Sequence, residues 1–215
     1  MSLVLTAAPA VEPVSLADAR AHLRVDGTAE DAFISSLIIT SRLHIEAALG
    51  LALINQSWTW TIDAWPGVAG VEFPVWSLSP LDRISRRDFD VGVALPMRPV
   101  RTIDQIRIKA ADGTPTVLAP QRYVLDGTSH PARLLPTLQA LPNPGQPVQG
   151  IQIDFTAGFS AAASDVPAPI RLALQMLVAH WFENREPVLS GERAAAIRIP
   201  DTVSELLAPF RSVRI

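Results

Sequence analysis

The feature that most restricts the fold of this chain of 215 residues is the uneven distribution of its 19 prolines. Twelve of them lie between Pro66 and Pro147, and none lies between Val14 and Leu53. A proline inside a helix removes a backbone donor and clashes with the preceding turn, so a helical bundle cannot continue through the middle of the chain. The pattern predicts an α+β fold, in which helices from both chain ends form a bundle and a small antiparallel β region is inserted between them.

We expect three segments along the chain. Residues 1–55 carry the N-terminal helices, residues 56–160 form the inserted β region, and residues 161–215 carry the C-terminal helices and a docking tail. The first and third segments are expected to pack as one helical domain. Near residues 67–99, where prolines and charges crowd, we expect a long projecting loop or hairpin.

Composition excludes several classes of protein. The chain has no cysteine, which excludes a disulfide scaffold, a thiolate metal site and a cysteine nucleophile. Its net charge of −3 gives no field that would draw it to nucleic acid or an anionic membrane. The nearly apolar residues 32–53 are interrupted by polar and charged side chains, so no membrane span is expected.

Cap signals mark two helices in the first segment. Ser15 followed by Asp18 predicts a capping box at the start of a first helix that ends near Val25. Thr28, with acids in the positions that follow, predicts the cap of a second helix, and Gly50 marks the end of that helix.

The rest of the chain gives weaker signals. Trp58, Trp60 and Ile62 alternate with polar residues, which predicts a half-buried strand. Proline at residues 167 and 169 suits the first turn of a helix that runs to residue 185, and Asp201 or Thr202 is expected to cap a short final helix. Further strands are expected at residues 104–109, 116–118, 123–126, 132–134 and 148–155, with a hairpin turn at residues 111–114.

His180 and Glu183 are the strongest candidates for chemistry, because a spacing of three places both on one side of a helix. The other histidines supply no third ligand by spacing, and His180 beside Trp181 equally suits a hydrogen-bonded core histidine. We find no phosphate-binding glycine loop and no complete nucleophile motif in the sequence. We therefore expect no enzyme, no metal and no cofactor, and the alternative is a small hydrolase or metal enzyme that uses these two residues.

Arg83, Arg86 and Arg87 form a basic cluster within the expected loop. Aspartates at residues 82, 88 and 90 flank the cluster, which favours a solvated loop with internal ion pairs over a nucleic-acid patch.

The last five residues alternate polar and apolar side chains, which is a strand pattern with no partner strand nearby in the sequence. Such a tail is suited to adding itself to the sheet edge of another subunit, although a frayed terminus is an equally good interpretation. The residues concerned are Arg211, Val213, Arg214 and Ile215.

Four stretches resemble the phage head-tail connector (adaptor) proteins, including those of gene transfer agents. Residues 12–27 (EPVSLADARAHLRVDG), with the EDA that follows at residues 30–32, resemble the opening of that family. Residues 155–159 (FTAGF), 166–171 (VPAPIR) and 180–186 (HWFENRE) resemble its third quarter. Residues 67–93 are longer and more charged than the family's connection there, so no role is carried over to them.

The resemblance implies a structural protein of a particle neck, assembled in the bacterial cytoplasm and without catalytic residues. Members form a ring, typically of twelve subunits, beneath the portal, and they join the capsid to the stopper, tail terminator or tail while DNA passes through the lumen. Apolar helices with leftover alanine faces suit such side-by-side packing. We expect residues 211, 213, 214 and 215 to bind the portal, and Arg83, Arg86 and Arg87 to contact the tail of the particle or the neighbouring subunit. The alternative is a stopper or tail-completion protein of the same neck.

Overall fold

The computed structural model describes residues 1–65, 92–137, 141–185 and 199–211. The chain divides into two compact units. The sheet unit comprises Met1–Ala8 and Gln56–Gly158, and the helical unit comprises Pro9–Asn55 and Phe159–Ile215. The α+β fold class, with helices from both chain ends and an inserted antiparallel region, is confirmed.

The helical unit contains four α-helices, counted over the described residues. They are α1 (Leu16–Leu23), α2 (Asp31–Leu49), α3 (Ala168–Glu183) and α4 (Asp201–Leu207). Short 3-10 helices at Ala163–Asp165 and Ala208–Phe210 precede α3 and follow α4. Between the two halves of this unit, the Asn55 amide donates to the Ser160 carbonyl at 2.9 Å, so the stretches before and after the β region lie side by side.

One apolar core holds the helices together. Its largest buried members are on α2 and α3, where residues recur at spacings of three and four, as one face of a helix requires. These are Ile34, Leu37, Ile38, Ile45 and Leu49 on α2, and Ile170, Ala173, Leu174, Leu177 and Val178 on α3. α2 is also the one helix, among those described, that is long and apolar enough to pass a length-and-composition test for a membrane span, with 44% of that window buried inside the protein.

The helix boundaries test the cap predictions. Ser15 is the N-cap of α1, and its hydroxyl accepts from the Asp18 amide at 3.0 Å, as predicted. Gly50 ends α2 in the left-handed region with a φ of 63°, also as predicted. The prediction that Thr28 caps α2 is wrong, because Glu30 occupies the N-cap position and makes no side-chain capping bond. The final helix begins after Pro200, so neither Asp201 nor Thr202 is its cap.

The sheet unit has two antiparallel sheets. The larger has the order β1-β2-β8-β4-β5 and the smaller the order β3-β7-β6. The strands are β1 (Ser2–Ala7), β2 (Gln56–Ile62), β3 (Val93–Ala94), β4 (Val100–Lys109), β5 (Pro115–Val117), β6 (Tyr123–Asp126), β7 (Arg133–Pro136) and β8 (Ile151–Ala157).

The central strand β8 alternates strictly between buried and half-buried residues. Its Phe155 pairs with Trp58 of β2 and with Ile103 of β4, on the buried face of the sheet. Its Asp154 pairs with Thr59 and lies on the opposite face. The predicted period of two in β2 is confirmed, and the larger sheet therefore has one apolar and one polar face.

Two features of the sheet unit differ from expectation. β1 was not predicted, although it pairs along its length with β2. Residues 92–99 were assigned to a projecting loop, but Val93, Leu95 and Met97 alternate into the core and Val93 pairs with Leu134 of β7. The rest of the predicted loop, up to residue 91, lies outside the described residues.

Candidate assembly surfaces

Most of the predicted contact residues lie outside the described part of the chain. This holds for Arg83, Arg86 and Arg87 of the loop and for Val213, Arg214 and Ile215 of the tail. Arg211 is described: it is exposed, it follows the 3-10 helix Ala208–Phe210, and its backbone is extended with φ −69° and ψ 139°. The tail prediction and the loop prediction both stay predictions.

A buried charge network ties three stretches of the helical unit together. Arg42 of α2 donates from Nε to Glu12 at 2.8 Å and from a terminal nitrogen to Glu46 at 2.9 Å. The second carboxylate oxygen of Glu46 accepts from the Leu53 amide at 2.9 Å. Burial of Arg42 would lower the pKa of its guanidinium, but the two carboxylates outweigh burial and hold that pKa above its usual value.

The side of α2 that faces away from the core is apolar. Ile39 and Leu43 are 43% and 49% exposed, whereas Arg42 and Glu46 of the same helix are only 4% and 5% exposed. We define the α2 outer face by six exposed residues at spacings of three and four, which are Ala32, Ser36, Ile39, Thr40, Leu43 and Ala47. His44 and Ala48 are also exposed and border this face, and the His44 ring packs edge-on against Trp181 of α3. None of these six described residues is charged, whereas Arg42 and Glu46 of the same helix are buried beside its apolar core residues.

α3 has a second outer face of similar character. Leu172 is 43% exposed, and Met176 one turn further on is half-buried. We define the α3 outer face by residues at the same helical spacings, which are Ala168, Leu172, Gln175, Met176, Ala179 and Glu183. Glu183, in the last turn, is the one charged member of this described set.

A groove of about 510 Å³ in the helical unit adjoins the α2 outer face. The stretch Val11–Leu16 forms one wall, Ile38 and Ile39 form another, and residues 161–163 close the groove. Ile39 lines the groove and also belongs to the α2 outer face, so the two surfaces adjoin. The lining of the groove also includes the charged residues Glu12, Asp18 and Arg171.

The polar face of the larger sheet is an internally paired surface. Asp154 accepts hydrogen bonds from Thr59 at 2.6 Å, from Gln152 at 3.3 Å and from Arg107. Partial burial acts to raise the pKa of Asp154, but these hydrogen bonds outweigh it and hold the pKa below its usual value. The carboxylate of Asp154 and the guanidinium of Arg107 thus form an ion pair within the sheet.

Asp126 closes the loop between β6 and β7. Its carboxylate accepts hydrogen bonds from Ser129, from Arg133 at 2.9 Å and from the Thr128 hydroxyl at 2.8 Å. These bonds hold the pKa of Asp126 well below its usual range. The arrangement fixes the loop that enters β7.

The candidate chemical pair lies at the end of α3. Glu183 is exposed, and the half-buried His180 offers its backbone carbonyl to the Asn184 side chain at 2.7 Å. Among the described residues no group of three or more His, Cys, Asp or Glu side chains is arranged to hold a metal ion. The pair therefore gains no third ligand from the part of the fold that is described.

No protein-family model matches the chain, and no curated protein matches it. Among solved structures, the chain is similar to a chain of the virion of a native gene transfer agent particle, with a TM-score of 0.73 and 26% sequence identity. It is also similar to a chain of the neck of the empty particle computed with C6 symmetry (TM-score 0.72, 27% identity) and to one of the neck of the native particle computed with C12 symmetry (TM-score 0.71, 25% identity). Each match covers 100% of this chain and 97% of the other.

These similarities extend over both units of the chain. They support a structural component of a gene transfer agent neck, and the predicted particle-neck localisation is confirmed.

Proposed function

We propose that this chain is the head-tail adaptor of a gene transfer agent or tailed phage particle. In this role it forms a ring of twelve subunits beneath the portal, and it joins the capsid to the stopper or tail while DNA passes through the lumen. The observation that carries the proposal is the full-length likeness to neck chains, since it includes the sheet unit and the helical unit together. The ring is supported by the rotational symmetry with which those necks were computed.

The sequence motifs of the helical unit support the adaptor role over the alternative, a stopper or tail-completion protein of the same neck. Residues 12–27 and 180–186, which carry the resemblance to adaptors, belong to opposite ends of the chain and to the same compact unit. Residues 211–215, which we propose as the portal contact, follow α4 of the same unit in the sequence.

The tail docks by adding a short strand to the portal. Phe210 packs against the helical core, and Arg211 leaves it exposed and extended, which is the backbone conformation that strand addition requires. Val213 and Ile215 would then face one side of the added strand, with Arg211 at its start and Arg214 on the other side. Arg83, Arg86 and Arg87 would contact the tail side of the particle or the neighbouring subunit.

Imaging of particle necks tests the whole proposal. A subunit that carries a small fused label should give twelve extra densities between the portal and the stopper. Density elsewhere in the particle, or on the tail side of the stopper, would contradict the adaptor role.

A truncation after Phe210 tests the tail. We expect filled heads without joined tails, because the helical unit keeps its core and loses only the docking strand. The matched control keeps the length and replaces residues 212–215 by glycine and serine, and it should fail in the same way. Normal tail joining by the truncated subunit would refute portal docking.

Replacement of Arg83, Arg86 and Arg87 by serine tests the loop. We expect fewer joined tails, since three cations are lost from the contact. The control replaces Arg24 and Arg101, which are both exposed, by serine and should join tails normally. If the two variants behave alike, the loop has no such contact.

A metal analysis of the purified protein, together with a His180→Gln variant, tests the non-enzymatic role. The proposal expects no bound metal and unchanged particle assembly. A stoichiometric metal that this variant loses would favour the metal-enzyme alternative instead.

A further inference from the structure

The uncharged outer face of α2 indicates that this face is covered in the assembled protein. A surface helix of a globular protein normally has its charges outward and its apolar stripe inward. In α2 the charged residues Arg42 and Glu46 are buried and form an ion pair with each other. The outer face of the helix carries no charged residue. Two large apolar side chains, Ile39 and Leu43, stand in solvent at the centre of that face.

The polar groups of this face need nothing from outside. The Ser36 hydroxyl donates to the Phe33 carbonyl at 2.7 Å, and the Thr40 hydroxyl donates to the Ser36 carbonyl at 2.8 Å. Both hydroxyls are satisfied by the helix itself, so an apolar surface can cover them without leaving a buried donor unpaired. The face is therefore ready to be desolvated.

The same unit carries a second surface that matches it. The α3 outer face has one exposed large residue, Leu172, with Ala168 one turn before it and Met176 one turn after it. Met176 is half-buried and also packs against the core, and the face ends at Glu183. α2 and α3 each turn their buried faces to the shared core, so their outer faces are separate patches of the same unit. Two different patches that meet between copies form a heterologous interface, and such an interface closes into a ring when the rotation between copies permits it.

We propose that the α2 outer face of one copy of this chain packs against the α3 outer face of the next copy. The inference rests on the proposed ring and assigns its subunit contact. A second copy is the occupant because the similar neck chains are related by rotational symmetry, which gives every copy two neighbours of its own kind. The two helices also match in length, at about 28 Å and about 24 Å by the rise of an α-helix.

The area of this contact is small compared with that of a stable complex. A helix about 28 Å long and about 10 Å wide presents a face of about 280 Å², against about 800 Å² per partner in a stable complex. Even with the adjoining groove, one contact of this size is weak. The contact is therefore expected to persist in the closed ring, where each copy is held on two sides, and the experiment uses assembled particles.

The absence of cysteine from the chain makes cross-linking the direct test. Particles are made with Leu43→Cys, with Leu172→Cys and with both together, and are treated with a short bismaleimide. Each single variant should stay monomeric on a denaturing gel, because the neighbour offers no thiol opposite it. The double variant should give a ladder that ends at the ring size, and the control, Val4→Cys with Val117→Cys, should give none although both valines are 53% exposed.

Three results would overturn the proposal. One is a double variant that enters particles in normal amounts and gives no ladder. Another is a dimer from a single variant, which would mean that like faces meet. The third is a ladder of equal strength from the control pair in the sheet unit.

A charge variant provides the second measurement, in case the cysteine variants are not incorporated. Leu43→Glu changes an exposed side chain, so the isolated subunit should unfold at the wild-type temperature. Its incorporation into particles should fall at least tenfold, while the control Val124→Glu, at a similarly exposed residue of the sheet unit, is incorporated normally. Normal incorporation of Leu43→Glu would overturn the proposal.

Because α2 is long and apolar enough to pass the test for a membrane span, a lipid surface is the competing partner for its outer face. Flotation of the purified protein with phosphatidylglycerol and phosphatidylcholine vesicles separates the two. We expect no vesicle binding, and binding that Leu43→Glu abolishes would assign the face to a membrane and refute the subunit contact. The imaging test of neck location is independent of all these results, so a labelled neck without a ladder refutes this contact alone.

Discussion

Two ion pairs, one in each unit, place their charges in opposite environments. In the helical unit Arg42 and Glu46 are buried on α2 while Leu43 between them is exposed. In the sheet unit the pair of Arg107 with Asp154 keeps to the polar face of the sheet, where the side chains are 34% and 21% exposed. The sheet unit follows the usual rule for an antiparallel sheet, with one apolar and one polar face. The helical unit departs from the usual rule for a surface helix, and the departure is what points to a neighbour.

The buried network also explains how the helical unit holds its entry segment. A buried ion pair is weak evidence for net stability, because desolvation offsets most of the attraction. The network does, however, join Glu12, 30 residues away in sequence, to α2, and through Glu46 it joins α2 to the Leu53 amide. Its main effect is to fix the segment before α1 and the segment after α2 against α2 itself.

Arg42→Met is expected to have the largest effect on stability. It leaves the carboxylates of Glu46 and Glu12 in place without their cation, and loss of one partner of a buried pair costs about 3–5 kcal/mol. Arg107→Met, its counterpart in the sheet unit, removes a partly exposed pair and should cost about 1 kcal/mol or less. Urea unfolding followed by circular dichroism measures both free energies.

The comparison fails if the two variants are equally stable. Arg42→Met with Glu46→Gln serves as a control, because it removes the uncompensated charge of Glu46 while keeping an acceptor for the Leu53 amide. This double variant should recover part of the lost free energy of unfolding. No recovery would mean that the guanidinium acts by packing alone.

The helix ends that depend on neighbouring residues were predicted correctly from the sequence. Ser15 with Asp18 and Gly50 lie next to the helix ends that they form, so their pattern could be interpreted without knowing the fold. β1 was missed because its partners are distant, as in the pair of Leu3 with Trp60, and because its exposed residues show no alternation. Val93 was missed because prolines nearby dominate the composition of residues 92–99, although its own partner is Leu134.

The candidate surfaces divide in the same way. The uncharged side of α2 could be anticipated as an apolar helix with a leftover alanine face. The burial of Arg42 could not, since its main partner Glu12 precedes α1 and comes near α2 only in the folded unit. The predicted contacts at Arg83, Arg86 and Arg87 and in the tail rest on composition and resemblance, and their tests are the variants described above.

Ser15→Ala is expected to have an intermediate effect on the stability of the helical unit. The variant removes a side-chain bond to the Asp18 amide at 3.0 Å and should cost about 1 kcal/mol, within the range for N-cap serines. Thr28→Ala is the matched control, because Glu30 is the N-cap of α2 and makes no capping bond. It should change the free energy of unfolding by less than about 0.5 kcal/mol. Equal losses for the two variants would restore Thr28 as a cap and contradict the helix boundary.

The smallest expected effect concerns the pH dependence of the sheet unit. The pKa of Asp126 is depressed in the folded protein by bonds from Ser129, Arg133 and Thr128, so the ionised carboxylate stabilises the fold at pH values above its ordinary pKa of about 3.9. That contribution is lost as pH falls below this value, because the unfolded chain takes up the proton first. Asp126→Asn should therefore lower the urea midpoint at pH 7, and the difference from wild type should shrink at pH 3. Asp18→Asn is the control in the helical unit, and a difference for Asp126→Asn that stays constant between pH 7 and pH 3 would show that its carboxylate matters only as a hydrogen-bond acceptor.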